Sequence, residues 1–373
     1  MKKRYLRHWS FLATGPLLSF LLILFWFFNQ NYLSQTKGPV VLLLENPLIT
    51  FGLIIFGAFV SAFIFGEYSI KTPVTYEPLI FSFIGGIWMG CGAVIAAMST
   101  HSIVLFNLAG IFNLTAFMIT KGWIYAASMI VGGFAGSKVF SFLILKTGHL
   151  KKDFFIPPAL MLRKNQKIIF FVLLGLFILF ISAVVFFSVL TAQEKAGFLF
   201  AVILLFLFGI LVERGTICMS SMLKEWFLAH SAYVWRSVLF TVMCLAILYQ
   251  VGLKLFAFEP IQLERHIQNV SLLVGGSFLM GFGFIFADGC FIGSLWKAGQ
   301  GNIINIVGIL GTLIGIGASK MAAKFIIIKQ PAVLGPQITN YLNIIIHPFV
   351  FIALLWVLGI LSLIIFRQKH YRY

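Results

Sequence analysis

The side chains most able to carry chemistry lie together in one glycine-rich stretch, Gly281–Asn302. Its candidate pathway residues are Gly289, Gly293, Asp288, Cys290 and Lys297. A thiol offers a weak S–H donor and a polarizable sulfur without the desolvation cost of a full charge. Polar groups among glycines inside an apolar stretch predict a broken helix that lines a cavity. Cys290 is therefore the first candidate for a functional side chain that lines this cavity.

Asp288 is the acidic residue that lies well within an apolar run. A carboxylate at that depth is costly enough to indicate a function. Two alternatives stay open from the sequence: Asp288 pairs with a cation such as Lys297, or burial keeps it neutral and it carries a proton during transport.

Cys218 is the second candidate thiol. If its segment is helical, Arg214 lies four residues earlier on the same face, where a guanidinium could attract an anion. The other cysteines, Cys91 and Cys244, stand in apolar surroundings that favour a packing role.

The first half of the chain contains a degenerate copy of the glycine motif. The pattern Met-Gly-x-Gly begins at Met89 and again at Met280, 191 residues later. At the same offset, Ser99 stands where Cys290 stands in the second copy. The Ser99 hydroxyl can still donate a hydrogen bond to an oxyanion, and nearby His101 could titrate near neutral pH or be a buried imidazole. Because Ser99 replaces the equivalent cysteine, the two motifs cannot pass a ligand from one cysteine to the other.

Composition identifies the solvent of these segments as lipid. The 373 residues are 61% hydrophobic and 10% charged, and their mean hydropathy is +1.03. Several apolar runs reach the roughly 20 residues that a bilayer crossing needs, Ile168–Leu190 and Pro348–Phe366 among them. The predicted fold is an all-α polytopic membrane protein with about 9–10 transmembrane helices.

The net charge of +17 is explained by topology rather than by nucleic acid. Its basic clusters lie at the N-terminus, in Lys146–Lys167 and at the C-terminus, next to the ends of apolar runs, as positive-inside anchors do. This pattern predicts cytoplasmic termini. The basic, apolar beginning of the chain lacks a small-residue cleavage site and is interpreted as a retained first helix.

Three regions follow from this organisation. Residues 1–145 form the half with the degenerate repeat, residues 146–167 a basic cytoplasmic linker, and residues 168–373 the half with the second repeat. Counting crossings from a cytoplasmic N-terminus gives the two repeats opposite orientations, as in many transporters. The paired glycine motifs are predicted to be broken or re-entrant helices.

Two motifs resemble signatures of the YeeE/YedE family of sulfur-compound permeases. The pair Gly289-Cys290, followed by Gly299-Gln300-Gly301, resembles one signature, and Leu211–Leu228, with Arg214 and Cys218, resembles its companion. The resemblance implies a transporter of the bacterial inner membrane. Its substrate would be a small sulfur anion, thiosulfate first, with a selenium compound as the alternative. It also implies a cytoplasmic sulfur-carrier protein as a partner.

Other functions remain as rivals. Cys218 and Cys290 could form a dithiol for redox work or sulfur transfer, and degenerate first-repeat chemistry leaves a non-transporting scaffold open. The sequence has no Cys-x-x-Cys pattern, His-rich metal cluster or nucleotide motif. We therefore expect a transporter rather than an enzyme, without a cofactor or a bound metal, whose surroundings are the lipid bilayer and not nucleic acid.

Overall fold

The computed structural model describes residues 11–33, 47–73, 76–98, 122–147, 175, 192–227, 233–255 and 270–327. Several predictions lie outside these ranges and stay predictions. They concern most of the linker 146–167, the crossings within 168–190 and 348–366, and the pathway residues Ser99 and His101.

The described chain is helical, and its helices follow the apolar runs of the sequence. They are α1 (Phe11–Leu33), α2 (Pro47–Ile64), α3 (Glu77–Met98), α4 (Gly122–Thr147), α5 (Ala192–Gly215), α6 (Met219–Phe227), α7 (Tyr233–Leu255), α8 (Val270–Phe286), α9 (Phe291–Gly299) and α10 (Ile303–Ile327). Within the described ranges there is no sheet; a single parallel bridge joins Lys71 to Asn302.

Four described segments are long and apolar enough to cross a bilayer: Glu77–Ala96, Ile124–Leu143, Leu199–Glu225 and Ser271–Gly299. Large apolar side chains also point outward, as on α10, where Ile306, Leu310 and Ile314 are exposed while Asn305 and Thr312 are buried. In water this arrangement would be unfavourable, but lipid solvates it. The prediction of a multi-pass, all-helical membrane protein is confirmed.

Helices α3 and α8 meet through a reciprocal glycine contact. A Cβ on Gly92 would come within 2.5 Å of the Gly276 carbonyl oxygen, and one on Gly283 within 2.6 Å of the Gly85 carbonyl oxygen. Gly92 and Gly85 are equivalent to Gly283 and Gly276 at the offset of 191 residues. The two helices run antiparallel, because higher positions on α3 face lower positions on α8. Glycine is needed at this seam because the backbones touch.

Outer helices pack on this pair in an equivalent way. A Cβ on Gly90 would overlap the Thr312 carbonyl oxygen of α10, and a Cβ on Gly281 would overlap the Met129 carbonyl oxygen of α4. Gly90 and Gly281 are again 191 residues apart. The correspondence thus extends from one helix pair to four packed helices, α4, α8, α3 and α10.

The other described helices pack in pairs beside this four-helix bundle. Helix α2 packs closely on α5, since a Cβ on Gly209 would overlap the Ile54 carbonyl oxygen. Helix α1 packs on α7, and the Ser19 hydroxyl donates to the Thr241 carbonyl at 2.9 Å. The short helix α9 lies against α2 and α10. This packing holds the ends of α5 and α8 next to each other.

Candidate functional site

Two long helices, α5 and α8, end inside the protein, and each is followed by a nine-residue helix, α6 and α9. Each break contains a non-glycine residue with positive φ, Thr216 at 49° and Asp288 at 56°. A β-branched residue rarely adopts this conformation, whereas aspartate tolerates it better. The prediction of a broken helix agrees with this geometry at the second motif only, because α3 runs unbroken through the glycines of the first motif as far as Met98. The junction of α5 and α6 is a second break, which was not predicted.

A cysteine follows each positive-φ residue by two positions and begins the short helix. The Cys218 carbonyl accepts the Met222 N–H at 3.0 Å, and the Cys290 carbonyl accepts the Ser294 N–H at 2.7 Å. These are the first helical hydrogen bonds of α6 and α9. The two thiols therefore occupy equivalent positions at two helix N-termini.

The two thiols meet. The Sγ atoms of Cys218 and Cys290 are 3.7 Å apart, both side chains are buried, and both cysteines are free. Cys290 Sγ also accepts two backbone N–H groups, from Met219 at 3.3 Å and from Gly293 at 3.3 Å. One sulfur thus receives donors from the first turns of both short helices.

Gly293 leaves the space that the Cys218 sulfur occupies. A Cβ at this position would overlap Cys218 Sγ and lie 3.3 Å from Cys290 Sγ. Because both contacts are with sulfur on buried side chains, any larger residue would push the thiols apart. The predicted pathway residues Cys218, Cys290 and Gly293 therefore form one site.

Side-chain hydrogen bonds tie each short helix to the end of the other long helix. The Ser220 hydroxyl of α6 donates to the Phe284 carbonyl of α8 at 2.7 Å. Trp296 of α9 donates its indole N–H to the Ile217 carbonyl in the other break at 3.2 Å. The Phe284 carbonyl lies in the last turn of α8 and the Ile217 carbonyl in the break after α5, so both contacts satisfy carbonyl groups where a long helix stops. Trp296 was not among the candidate residues that the sequence indicated.

Asp288 pairs with two lysines. Lys224 Nζ lies 2.6 Å from Asp288 Oδ1. Lys297 Nζ lies 3.4 Å from Asp288 Oδ2 and 2.5 Å from the Asp288 carbonyl oxygen. The pairing alternative from the sequence fits this arrangement. Lys224 was not singled out, because 64 residues separate it from Asp288 and α6 carries no motif that announces the contact.

Gly289 is packed against buried polar atoms. A Cβ there would overlap Ser294 Oγ and lie 2.9 Å from Asn305 Oδ1. Neither Ser294 Oγ nor the Asn305 amide has a hydrogen-bond partner among the described residues, and both side chains are fully buried. Buried polar atoms are nearly always paired. The Ser294 hydroxyl and the Asn305 amide beside the second break can therefore still bind another polar group.

Arg214 belongs to a different cluster. Its guanidinium binds Glu213 Oε2 at 2.6 Å and Glu67 Oε2 at 2.7 Å. Gln300 Nε2 and Ser61 Oγ also donate to Glu213, at 2.9 Å and 2.6 Å. Arg214 and Glu213 are both fully buried, so Asp288 is not the single acidic residue buried within an apolar segment. Gln300 places this cluster at the opposite end of α9 from Cys290.

The expected helical face shared by Arg214 and Cys218 does not exist, because α5 ends at Gly215 before the cysteine is reached. The Arg214 charge is instead balanced by two carboxylates. Cys91 lies on α3, where its Sγ is 3.6 Å from the Gly315 carbonyl oxygen, as a packing residue would. Within the described ranges no group of three His, Cys, Asp or Glu side chains could hold a metal ion.

Comparison with known proteins agrees with the position of this site. Residues 214–373 match the family described as sulphur transport. The thiosulfate transporter TsuA of Spirochaeta thermophila is 34% identical over 100 residues, which are 26% of this chain and 28% of TsuA. The probable transporter YedE of Escherichia coli is 23% identical over 257 residues, which are 66% of this chain and 58% of YedE.

A YedE from Salmonella typhimurium matches at the same level, 23% over 249 residues. The chain thus spans between about a quarter and three fifths of the length of these curated relatives, 28% and 58% for the first two. No solved structure matches it. Over residues 214–373 the chain is thus similar to the sulphur-transport family, and it shows distant homology to YedE and to the thiosulfate transporter TsuA.

Proposed function

We propose that this protein carries a small sulfur-containing anion, thiosulfate first, across the bacterial inner membrane past the thiols of Cys218 and Cys290. The observation that carries the proposal is the convergence of two helix N-termini on this pair, with sulfur atoms 3.7 Å apart. Helix N-termini favour negative charge through their free N–H groups and the helix dipole. Thiols add weak donors and polarizable contacts.

The surrounding charges support an anion as the cargo. Lys224 and Lys297 face a single carboxylate, Asp288, so the three charged groups sum to one positive charge. The sulfur atoms add polarizable contacts for a soft anion without holding it as tightly as a metal would. Weak binding suits passage, since the anion must also leave.

The architecture of the proposal is a pair of inverted repeats within about 9–10 crossings. The antiparallel, reciprocal contact of Gly92 and Gly283 between α3 and α8 supports it. In this arrangement Ser99 and His101 complete the pathway from the first repeat, residues 1–145 and 168–373 are the two halves, and the linker 146–167 and both termini are cytoplasmic. A cytoplasmic sulfur-carrier protein receives the cargo.

The test is uptake of radiolabelled thiosulfate by cells that lack other sulfur importers. We expect uptake with the intact protein and a loss of at least about tenfold in Cys290→Ala, because the Cβ that remains cannot interact with the anion or accept the N–H groups of Met219 and Gly293. Cys244→Ala is the matched control, since Cys244 lies on α7 away from the thiol pair.

Two outcomes would count against the proposal. Undiminished uptake by Cys290→Ala would remove the thiol from the pathway. Absence of uptake by the intact protein would remove thiosulfate as the substrate. Uptake of labelled selenite and of labelled sulfite by the intact protein then separates the alternative cargo of the family, a selenium compound, from other sulfur anions.

A second candidate function, thiol–disulfide exchange, is favoured by the same sulfur distance. One thiol would attack a disulfide of a partner, and the other would resolve the mixed disulfide, leaving Cys218 and Cys290 oxidised and the partner with two thiols. Closure from 3.7 Å to the bond length of about 2.05 Å needs a small movement. Mass spectrometry of the purified protein after incubation with oxidised glutathione tests this: a Cys218–Cys290 disulfide supports exchange, and persistent thiols exclude it.

A further inference from the structure

We infer that Asp288 is a built-in counter-anion, which the transported anion displaces from Lys224 and Lys297, so that the two lysines are anion-binding residues and Asp288 controls access to them. The inference rests on the proposed function. It adds to it an exchange step beside the thiols and assigns anion binding to Lys224.

The contacts show one carboxylate holding two cations from two different helices. Asp288 Oδ1 lies 2.6 Å from Lys224 of α6, and Asp288 Oδ2 lies 3.4 Å from Lys297 of α9. A carboxylate is chemically similar to the oxygen end of a sulfur oxyanion, since both offer charged oxygen acceptors to an ammonium group. A free anion can therefore take the position that Asp288 occupies.

Exposure separates this cluster from a fixed structural ion pair. The side chain of Asp288 is 37% exposed and those of Lys224 and Lys297 are 17% exposed, whereas the Arg214 side chain is 0% exposed. A partly exposed ion pair is held less firmly by its surroundings than a fully buried one. An incoming anion can thus replace the carboxylate at small cost, while the Arg214 cluster would resist such exchange.

The position of Lys297 links this exchange to the thiols. Lys297 lies four residues after Gly293, the residue on which Cys218 Sγ packs, and therefore on the same face of α9. Its side chain runs back toward the N-terminus of the helix to reach the Asp288 carbonyl oxygen. An anion bound to Lys297 in place of Asp288 would lie along the face that carries the thiol pair.

The backbone at Asp288 links the exchange to the shape of the break. Asp288 has φ of 56° and precedes Cys290 by two residues. The contacts of both lysines help to hold this uncommon conformation. Displacement of the carboxylate therefore frees the segment that positions the Cys290 sulfur at the moment when an anion arrives.

Asp288→Asn is the decisive variant, because asparagine has the same shape and also tolerates positive φ. The amide removes the competing charge while it keeps the backbone. We expect the half-saturating concentration of labelled thiosulfate to fall about fivefold, the effect of removing a partly exposed ion pair from the competition. A merely structural role of Asp288 would lower the maximal rate or the amount of folded protein without tightening binding.

Lysine variants complete the measurement. Lys224→Gln and Lys297→Gln should each raise the half-saturating concentration. In the double variant Asp288→Asn with Lys224→Gln, the gain from Asp288→Asn should shrink, because the two substitutions act on one interaction. Lys138→Gln is the control, since Lys138 lies on α4 and contacts the Phe134 ring instead of this cluster.

An unchanged or higher half-saturating concentration in Asp288→Asn would overturn the inference, provided that intact protein transports thiosulfate. Additive effects in the double variant would also overturn it, since they would mean that Lys224 and Asp288 act separately. If the intact protein transports no thiosulfate, the proposed function itself fails. The two failures are therefore distinguishable in one set of uptake measurements.

Discussion

The break between α5 and α6 and the break between α8 and α9 have the same plan but different surroundings. Both place a residue with positive φ two positions before a buried cysteine, Thr216 before Cys218 and Asp288 before Cys290. The first break follows Arg214, which is fully buried and bound by two carboxylates. The second contains its own carboxylate, which is partly exposed to solvent.

This difference suggests a structural role for the buried Arg214 cluster and an exchangeable ion pair at Asp288. Removing Arg214 from its carboxylates would leave uncompensated charge in the interior, so that cluster stabilises the fold. Asp288 can lose its lysine contacts at a smaller cost because its side chain is 37% exposed. The two breaks thus bring equivalent thiols together, and in our proposal their charges differ in role: the Arg214 cluster is structural, whereas the lysines at Asp288 bind an anion.

The largest expected effect is on stability and comes from breaking the buried Arg214 cluster. Arg214→Met removes the cation between Glu213 and Glu67 and should destabilise the protein by about 3–5 kcal/mol, the usual effect of leaving buried charge unpaired. Thermal unfolding of the detergent-purified protein, followed by tryptophan fluorescence, measures it.

Lys224→Met is the matched control at the Asp288 cluster. It also replaces a cationic side chain by methionine, but this cation belongs to a partly exposed ion pair. We expect a stability change of about 1 kcal/mol or less for it. Equal destabilisation by the two variants would contradict the division between anchoring and exchange.

A smaller but specific effect should follow from crowding the place where the two breaks meet. Gly293→Ala places a methyl group on Cys218 Sγ and should reduce thiosulfate uptake about tenfold or more, with a stability loss of about 1–3 kcal/mol from overpacking. Uptake and membrane expression are measured together. Gly275→Ala is the control, since a Cβ there meets nothing within 4 Å; a similar loss of uptake in both variants would refute the steric explanation.

The smallest expected effects are stability changes that test whether the two breaks are held by equivalent hydrogen bonds. Ser220→Ala and Trp296→Phe each remove one cross-link between a short helix and the opposite break. Each should lower stability by about 1 kcal/mol through loss of one hydrogen bond, with a larger loss for Trp296→Phe because the ring also shrinks. Thermal unfolding of both variants checks this, and a large effect of one alone would show that the breaks are not held in the same way.

The sequence predicted the parts of the structure that depend on local composition. Apolar runs gave the helices, and glycines around Asp288 and Cys290 indicated a break beside a thiol. Matching positions such as Met89 and Met280 revealed the correspondence that the packed helices display. These features are visible because each depends on residue types within a short segment or on a regular offset.

Features that depend on contacts between distant segments were not predictable. Lys224 reaches Asp288 across 64 residues, and Arg214 reaches Glu67 across 147, and no motif encodes either pair. The end of α5 at Gly215 was also missed, since the positive φ at Thr216 is unusual for a β-branched residue and only tertiary contacts maintain it. The expected Arg214 face failed for this reason.

The glycine seam between α3 and α8 limits which motions the protein can use. Main chain lies directly on main chain there, at Gly92 against Gly276 and at Gly283 against Gly85. Sliding either helix by one residue would drive a Cβ of a neighbouring residue into the opposite backbone. The two helices are therefore expected to keep their relative position, and the proposed passage of an anion would depend on movement of the short helices α6 and α9 instead.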